Sequence, residues 1–177
     1  VTVAFAVATI SGVPPALRPV TPLGIIARNL PSLVDRAHTL HDAPPDFVAM
    51  LAETSQLADG LDSYLVTCST PPSPILAEVA EATARLDWQA MYVAGSTSLA
   101  LEAEMVSGHI EGQLLNFLIR CMHATRVLEI GLFTGYSALA MAEALHAGGR
   151  LVACEIDGYA ARYAQRWFDR SPHGDKI

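Results

Sequence analysis

The alternation of apolar and polar residues predicts two strand–helix units in the second half of the chain. A short apolar run at 127–130 stops at Gly131, and from Gly135 onward the apolar residues follow a helical period. A second apolar run at 151–154 is followed by another helical pattern. The predicted elements are strands at 126–130 and 150–154 and helices at 135–146 and 158–169.

The first half of the chain is predicted to be helical, with proline-rich connections. Apolar residues recur at three- and four-residue steps over 23–37. A second helix is predicted to begin at Asp46 and to end near Gly60. Ser73, directly before a proline, is typical of the N-cap of a third helix. A further helix is predicted over 108–123.

The two ends of the chain suggest that it continues beyond them. The first charged residue is Arg18, and the apolar opening before it is too short to span a bilayer and lacks the basic region of a secretory signal. We interpret it as a linker, a processed presequence or the end of a fused upstream domain. After Glu155 there is room for one helix, and the last residues predict the entry to a third strand. We therefore expect the sequence to be cut within its α/β domain, because such a sheet has more strands.

Composition excludes several classes of protein and partner. With 177 residues, 51% of them apolar and 16% charged, the chain is long enough for a core and is not intrinsically disordered. A net charge of −7 without a basic block excludes nucleic acid and anionic membranes as partners. Cys68, Cys121 and Cys154 have no Cys-x-x-Cys spacing, which predicts reduced, partly buried thiols. The expected compartment is the cytoplasm, or a plastid if an upstream presequence exists.

The turn between the first of these two strands and its helix has the chemistry of a ligand site. Glycines at 131 and 135 let backbone amides approach a ligand, and a helix N-terminus attracts an anionic group. We expect this turn to hold a small anionic cofactor. The alternative is an ordinary strand-to-helix turn, and the carboxylates Glu129 and Glu155 on either side favour the ligand.

The same residues discriminate between cofactors. A nicotinamide site needs Gly-x-Gly-x-x-Gly, and Phe133 stands where the second glycine is required. Glu129 matches the acidic-x-Gly pattern of S-adenosylmethionine (SAM) sites. Glu155 lies at the tip of the second strand, 24 residues after Gly131, where doubly wound folds bind ribose hydroxyls. The pattern favours an adenosyl cofactor without phosphate.

The motifs resemble a known family. Glu-Ile-Gly-Leu-Phe-Thr-Gly-Tyr-Ser at 129–137 and Ala-Cys-Glu-Ile-Asp at 153–157 are similar to the SAM-dependent O-methyltransferases of the caffeoyl-CoA and catechol type. The stretch 105–115 is similar to the family's segment before its first strand. Residues 57–122 and 127–177 resemble one branch of this family. That branch methylates desmethyl-4-deoxygadusol, a gadusol-type cyclohexenone, in mycosporine biosynthesis.

The resemblance implies an α/β fold of the Rossmann-like class I methyltransferase type, of which the chain holds the N-terminal half. We predict a tail or linker at 1–21, a helical N-terminal cap at 22–104 and the first half of the SAM-binding domain at 105–177. The implied function is methyl transfer from SAM to a hydroxyl of a small molecule, either catechol-like or a gadusol-type enol.

The resemblance also implies a set of site residues. In it, Ser137 bonds the methionine carboxylate of SAM and Glu155 holds the ribose. For Ser107 two interpretations stay open, a contact with the cofactor's amino-acid end and a local turn. The predicted cofactor-binding residues are Ser107, Glu129, Gly131, Leu132, Ser137 and Glu155.

No catalytic base and no metal ligand are predicted within this chain. The family generally uses a divalent cation, and its ligands are expected beyond Ile177. The six histidines have no carboxylate or cysteine partner at ligand spacing, so surface or capping roles are expected for them. The chain by itself is therefore expected to be inactive.

The expected partner is a small-molecule substrate, with a homodimer and fusion to an upstream domain as further interpretations. Two alternative functions stay open. One is an NAD-type oxidoreductase, which Phe133 disfavours, and the other is a non-catalytic domain of a larger fused pathway protein.

Overall fold

A computed structural model describes the backbone of residues 2–6 and 22–177, and the side chains of residues 23–61 and 64–177. The described residues form two compact units, one over 22–70 and one that joins 2–6 to 71–177. The sequence instead predicts a boundary after residue 104.

The boundary lies earlier because the helix that begins at Pro74 belongs to the core of the second unit. Leu76 and Val79 on this helix are almost fully buried. They pack in one cluster with Val127 of the sheet.

The first unit is a pair of packed helices. They are α1 (Pro22–Thr39) and α2 (Pro45–Cys68). Ala27 and Ala37 of α1 and Ser55 of α2 are buried. The predicted end of α2 near Gly60 is wrong. A Cβ at Gly60 meets no other atom within 4 Å, so this glycine lies in an unobstructed helix interior.

The second unit begins with helices that precede the sheet. They are α3 (Pro74–Arg85), α4 (Trp88–Val93), a 3₁₀ turn (Ala103–Met105) and α5 (Gly108–Cys121). Ser73 caps α3 as predicted, since its Oγ accepts a hydrogen bond from the Leu76 N–H at 3.4 Å. Asp87 caps α4 in the same way, accepting from the Ala90 N–H at 2.8 Å.

A parallel three-stranded sheet lies at the centre of the second unit. Its strands are β1 (Thr2–Ala6), β2 (Arg126–Ile130) and β3 (Arg150–Cys154), in the order β1-β2-β3. Helices α6 (Tyr136–Ala144) and α7 (Gly158–Phe168) follow β2 and β3. The bounds predicted for β2 and β3 are confirmed, and parallel strands direct their carboxyl ends, including Ile130 and Cys154, to one edge.

Both chain ends differ from expectation. Residues 2–6 lie in a strand, with Thr2 opposite Arg126, and not in a tail or linker. The remainder of the predicted tail, 7–21, lies outside the described residues. The last residues form a 3₁₀ turn (Gly174–Lys176) and not the entry to a strand.

Helix α6 forms the centre of the core. Seven consecutive residues from Tyr136 to Ala142 are buried, and three of them are alanines. Helix α5 approaches α6 closely at Gly112, where a Cβ would lie 2.8 Å from a ring carbon of Tyr136. Lys176 ends α6 by donating from Nζ to the carbonyls of Ala142 and Leu145, at 2.9 and 2.6 Å. Among the described residues no helix is long and apolar enough to cross a membrane.

Candidate functional site

The turn between β2 and α6 depends on backbone conformations that favour glycine. Gly131 has φ +92° and Gly135 has φ +85°. A Cβ at Gly135 would lie 2.7 Å from the ring of Phe168, so α7 also excludes a side chain there. Phe133 adopts φ +49° without being glycine, which is a strained conformation for a bulky residue. The predicted strand, glycine turn and helix are confirmed.

Glu155 occupies the backbone amides of this turn. Its Oε2 accepts from the N–H of Leu132 at 3.0 Å and from the N–H of Phe133 at 2.7 Å. Its Oε1 accepts from the N–H of Asp157 at 2.9 Å. The sequence predicts that the amides of this turn face a ligand anion, and for these two that prediction is wrong. They hold the chain's own carboxylate.

Glu129 is a deeply buried acidic residue beside the turn. It is 5% exposed, and its Oε1 accepts a hydrogen bond from Ser137 Oγ. Its Oε2 is buried and has no hydrogen-bond partner among the described residues. Burial raises the pKa of Glu129 to about 7; the Ser137 hydrogen bond opposes this, and the nearby charges of Glu111 and Glu155 add to it. No cationic side chain of the described residues pairs with this carboxyl.

A cleft of about 210 Å³ opens above these groups. It contains five of the six predicted cofactor-binding residues, while the sixth, Glu129, lies behind Ser137. Side chains from the loop before α5 complete the walls. The lining residues are Leu99, Leu101, Met105, Val106, Ser107, Gly131, Leu132, Phe133, Thr134, Tyr136, Ser137, Glu155 and Ile156.

One wall of the cleft is anchored by Asp157, which sequence reasoning did not select. Its carboxylate is fully buried and accepts from the N–H and Oγ–H of Ser98, at 2.6 and 2.8 Å. The same carboxylate caps α7, accepting from the N–H groups of Tyr159 and Ala160 at 2.9 Å each. Burial alone would raise its pKa, but these hydrogen bonds outweigh burial and hold the pKa below its usual range. The signal in the sequence was an aspartate directly before a helical pattern, which is typical of an N-cap.

Residues of helices α3 and α4 pack against the turn between β2 and α6. The hydroxyls of Thr83 and Thr134 lie 3.0 Å apart, and both residues are buried. The rings of Trp88 and Phe133 pack against each other in a tilted arrangement, with centroids 4.8 Å apart and an interplanar angle of 51°. The indole Nε1 of Trp88 donates to the Thr83 carbonyl at 2.9 Å. Trp88 is thus a core anchor that also packs against the strained Phe133.

Histidines and possible metal ligands are the remaining polar groups of interest. His38, His41, His123 and His146 are exposed, as expected. His109 is different, since both its ring nitrogens are buried without a partner among the described residues, so a surface or capping role is wrong for it. No three His, Cys, Asp or Glu side chains in the described parts of the chain are arranged to hold a metal ion. These residues do not fit a divalent cation.

The cysteines differ in part from expectation. Cys68, Cys121 and Cys154 are free thiols, but all three are exposed and not partly buried.

A second cavity, of about 400 Å³, lies within the α1–α2 pair. It is lined by small apolar side chains together with His38. It brings together no group of polar residues with evident chemistry.

Comparison with known proteins identifies the family. A family model described as O-methyltransferase matches residues 66–177. Caffeoyl-CoA O-methyltransferase 2 of Petunia hybrida is 34% identical over 103 residues, which are 56% of this chain and 36% of that protein. Catechol O-methyltransferase domain-containing protein 1 of Mus musculus is 53% identical over 67 residues, which are 38% of this chain and 26% of that protein. This chain thus spans about a third of the length of such relatives.

Solved structures agree on the fold. An O-methyltransferase from Klebsiella pneumoniae matches with a TM-score of 0.53 and 30% identity, over 67% of this chain and 47% of that one. An O-methyltransferase from Bacillus cereus in complex with SAH matches with a TM-score of 0.52 and 24% identity over the same shares, which supports the fold alone. The predicted α/β, Rossmann-like class with a helical N-terminal part is therefore confirmed, and the chain belongs to the O-methyltransferase family.

Proposed function

We propose that this chain supplies the SAM-binding part of an O-methyltransferase that acts on a small molecule. The observation that carries the proposal is the buried Glu129 carboxyl. One of its oxygens has no partner among the described residues, and the other is bonded to Ser137, which lines the cleft together with Glu155 and the glycine turn. A buried carboxylate of this kind requires a cationic or hydrogen-bond-donating partner.

SAM has groups that match both carboxylates. Its ammonium or sulfonium charge would compensate Glu129, and one of its ribose hydroxyls would donate to Glu155. Ser107 and Ser137 line the same cleft and would hold the amino-acid end of the cofactor. The cofactor would approach the backbone at Gly131 and Leu132, because Gly131 has no side chain and no other atom lies within 4 Å of its Cβ position.

The geometry disfavours the oxidoreductase alternative. A nicotinamide dinucleotide places its pyrophosphate on the amides of such a turn. Here the amides of Leu132 and Phe133 are already bonded to Glu155, and the negative charge of Glu155 would repel phosphate. Membership of the O-methyltransferase family also disfavours both this alternative and a purely non-catalytic domain.

When bound, SAM would supply an electrophilic methyl group for in-line transfer to an oxygen. The part of this chain would be to bind and orient the cofactor. The acceptor must also lose a proton, to a base or to a coordinated cation. The side chains described here do not fit a cation site, so the divalent cation implied by the resemblance would be held by other residues.

The finer identity of the reaction is also a proposal. The caffeoyl-CoA and catechol relatives support a catechol-like acceptor. The overall likeness to the mycosporine branch supports a gadusol-type enol. We further propose a homodimer fused to an upstream domain, located in the cytoplasm or a plastid. The three free thiols are compatible with such reducing compartments.

Calorimetric titration with SAM tests the proposed site. In Gly131→Trp a large side chain is added at a position that lines the cleft and has φ +92°, so we expect SAM binding to be lost. The matched control is Gly95→Trp. Gly95 also has positive φ and open space around its Cβ position, but it does not line the cleft. Equal SAM affinities for the wild type and Gly131→Trp would remove the cofactor from this turn.

A further inference from the structure

The turn that follows β2 has the elements of a general phosphate site. Two consecutive backbone N–H groups, those of Leu132 and Phe133, point in one direction just before the N-terminus of α6. Such an arrangement binds anions without further help, because the free amides and the helix dipole both attract negative charge.

In this chain an internal anion fills that position. Oxygen Oε2 of Glu155 accepts from both turn amides, and Oε1 accepts from the Asp157 N–H. A carboxylate offers about four acceptor positions, so three donors leave about one unused. Glu155 lines the cleft, where a ligand hydroxyl can reach it.

These contacts give Glu155 a role in ligand selection. A phosphate would have to displace the carboxylate from both amides. A hydroxyl needs no displacement, because it donates to the remaining acceptor position. The two kinds of ligand are therefore treated differently by one side chain.

We propose that Glu155 is a specificity-determining residue that closes this turn to phosphate-bearing ligands by occupying the amides of Leu132 and Phe133. It leaves one acceptor position for a ligand hydroxyl. This inference rests on the proposed function only in assigning that hydroxyl to the ribose of SAM. The occupation of the amides is independent of that assignment.

The test is a titration with inorganic pyrophosphate, followed by the amide resonances of Leu132 and Phe133. In Glu155→Ala the two amides lose their acceptor. We expect this variant to bind pyrophosphate at least about tenfold more tightly than the wild type does. In Glu155→Gln the side-chain oxygen still accepts from the amides, so the turn should stay closed. Glu81→Ala removes the same charge from an exposed helix position and should leave pyrophosphate binding unchanged.

Several results would overturn the proposal. One is an unchanged pyrophosphate affinity in Glu155→Ala. Another is equal binding by Glu155→Gln and Glu155→Ala, since repulsion and not occupation would then exclude the anion. If Glu155→Ala does not fold, the wild-type chain still decides, because a pyrophosphate-dependent shift of the Leu132 and Phe133 amides would contradict their occupation.

A parallel titration with SAM separates this inference from the proposed function. Pyrophosphate binding gained by Glu155→Ala, with no SAM binding by the wild type, would uphold the inference and reject the function. SAM binding by the wild type, with no pyrophosphate gained by the variant, would do the reverse.

Discussion

Burial without a counter-charge makes Glu129 costly to ionise. Its pKa of about 7 lies above the ordinary value of 4.5. The folded state therefore binds a proton that the unfolded chain releases near pH 4.5. This bound proton stabilises the folded state fully below about pH 4.5, and the stabilisation is lost as the pH rises through about 7. A cationic ligand would reverse this, because it favours the ionised carboxylate.

Stability measured against pH tests this property of Glu129. We expect the free energy of unfolding of the wild type to fall by about 3 kcal/mol between pH 4.5 and 8, at about 1.4 kcal/mol per pKa unit. Glu129→Gln, which has no ionisable group there, should lack this component in urea unfolding. If both proteins show the same pH profile, Glu129 is not the group that titrates.

Ligand binding gives a second view of the same group. If the ammonium of SAM meets Glu129, binding near pH 6.5 should release a proton. Calorimetry in buffers of different ionisation enthalpy measures that release, and Glu129→Gln should abolish it.

The close approach of α5 to α6 brings the loop that holds Ser107 beside the turn between β2 and α6. It depends on Gly112, because the ring of Tyr136 occupies the space where a Cβ would lie. Ser107 precedes α5 directly and lines the cleft with Tyr136 and Ser137. Widening the helix pair would therefore displace one wall of the site.

A pair of glycine substitutions measures this dependence. Gly112→Ala should destabilise the chain by about 1–3 kcal/mol, because the buried Tyr136 ring must move. Gly60→Ala is the control, since it lies in the interior of α2 with nothing near its Cβ position. It should stabilise by about 0.5–1 kcal/mol through helix propensity. Denaturant unfolding of both variants decides, and a stabilising Gly112→Ala would contradict the packing argument.

Across the whole chain, the described residues provide a cofactor cleft and little machinery for removing a proton. Glu155 is bonded to three backbone amides, and Glu129 is bonded to Ser137. No metal-binding cluster is present in the described segments. Apolar side chains such as Ile130 and Val152 are more than half exposed on the sheet strands, which favours self-association.

We therefore predict that purified residues 1–177 do not methylate a catechol or a gadusol-type enol. A methyl-transfer assay with labelled SAM measures this, with a full-length relative as the positive control. Detectable turnover would mean that acid–base groups within 1–177 suffice, or that association of two chains supplies them.

Local sequence patterns were sufficient for many of the elements around the site. The periodicity and the glycines predicted β2, the turn and α6, and Ser73 identified the start of α3. These features depend on residues a few positions apart. The end of α2 was mispredicted, because a glycine in an open helix interior costs only about 1 kcal/mol and packing against α1 outweighs it.

The sequence by itself determined the order of the later elements, the position of the glycine turn and the carboxylates on either side of it. Only the tertiary structure decided what those carboxylates do. The bonds from Glu155 to the Leu132 and Phe133 amides join residues more than twenty positions apart, and burial, not residue type, raises the pKa of Glu129. Strand β1 was equally hidden, because a parallel strand is defined by its distant partner β2 and its own apolar run resembles a tail.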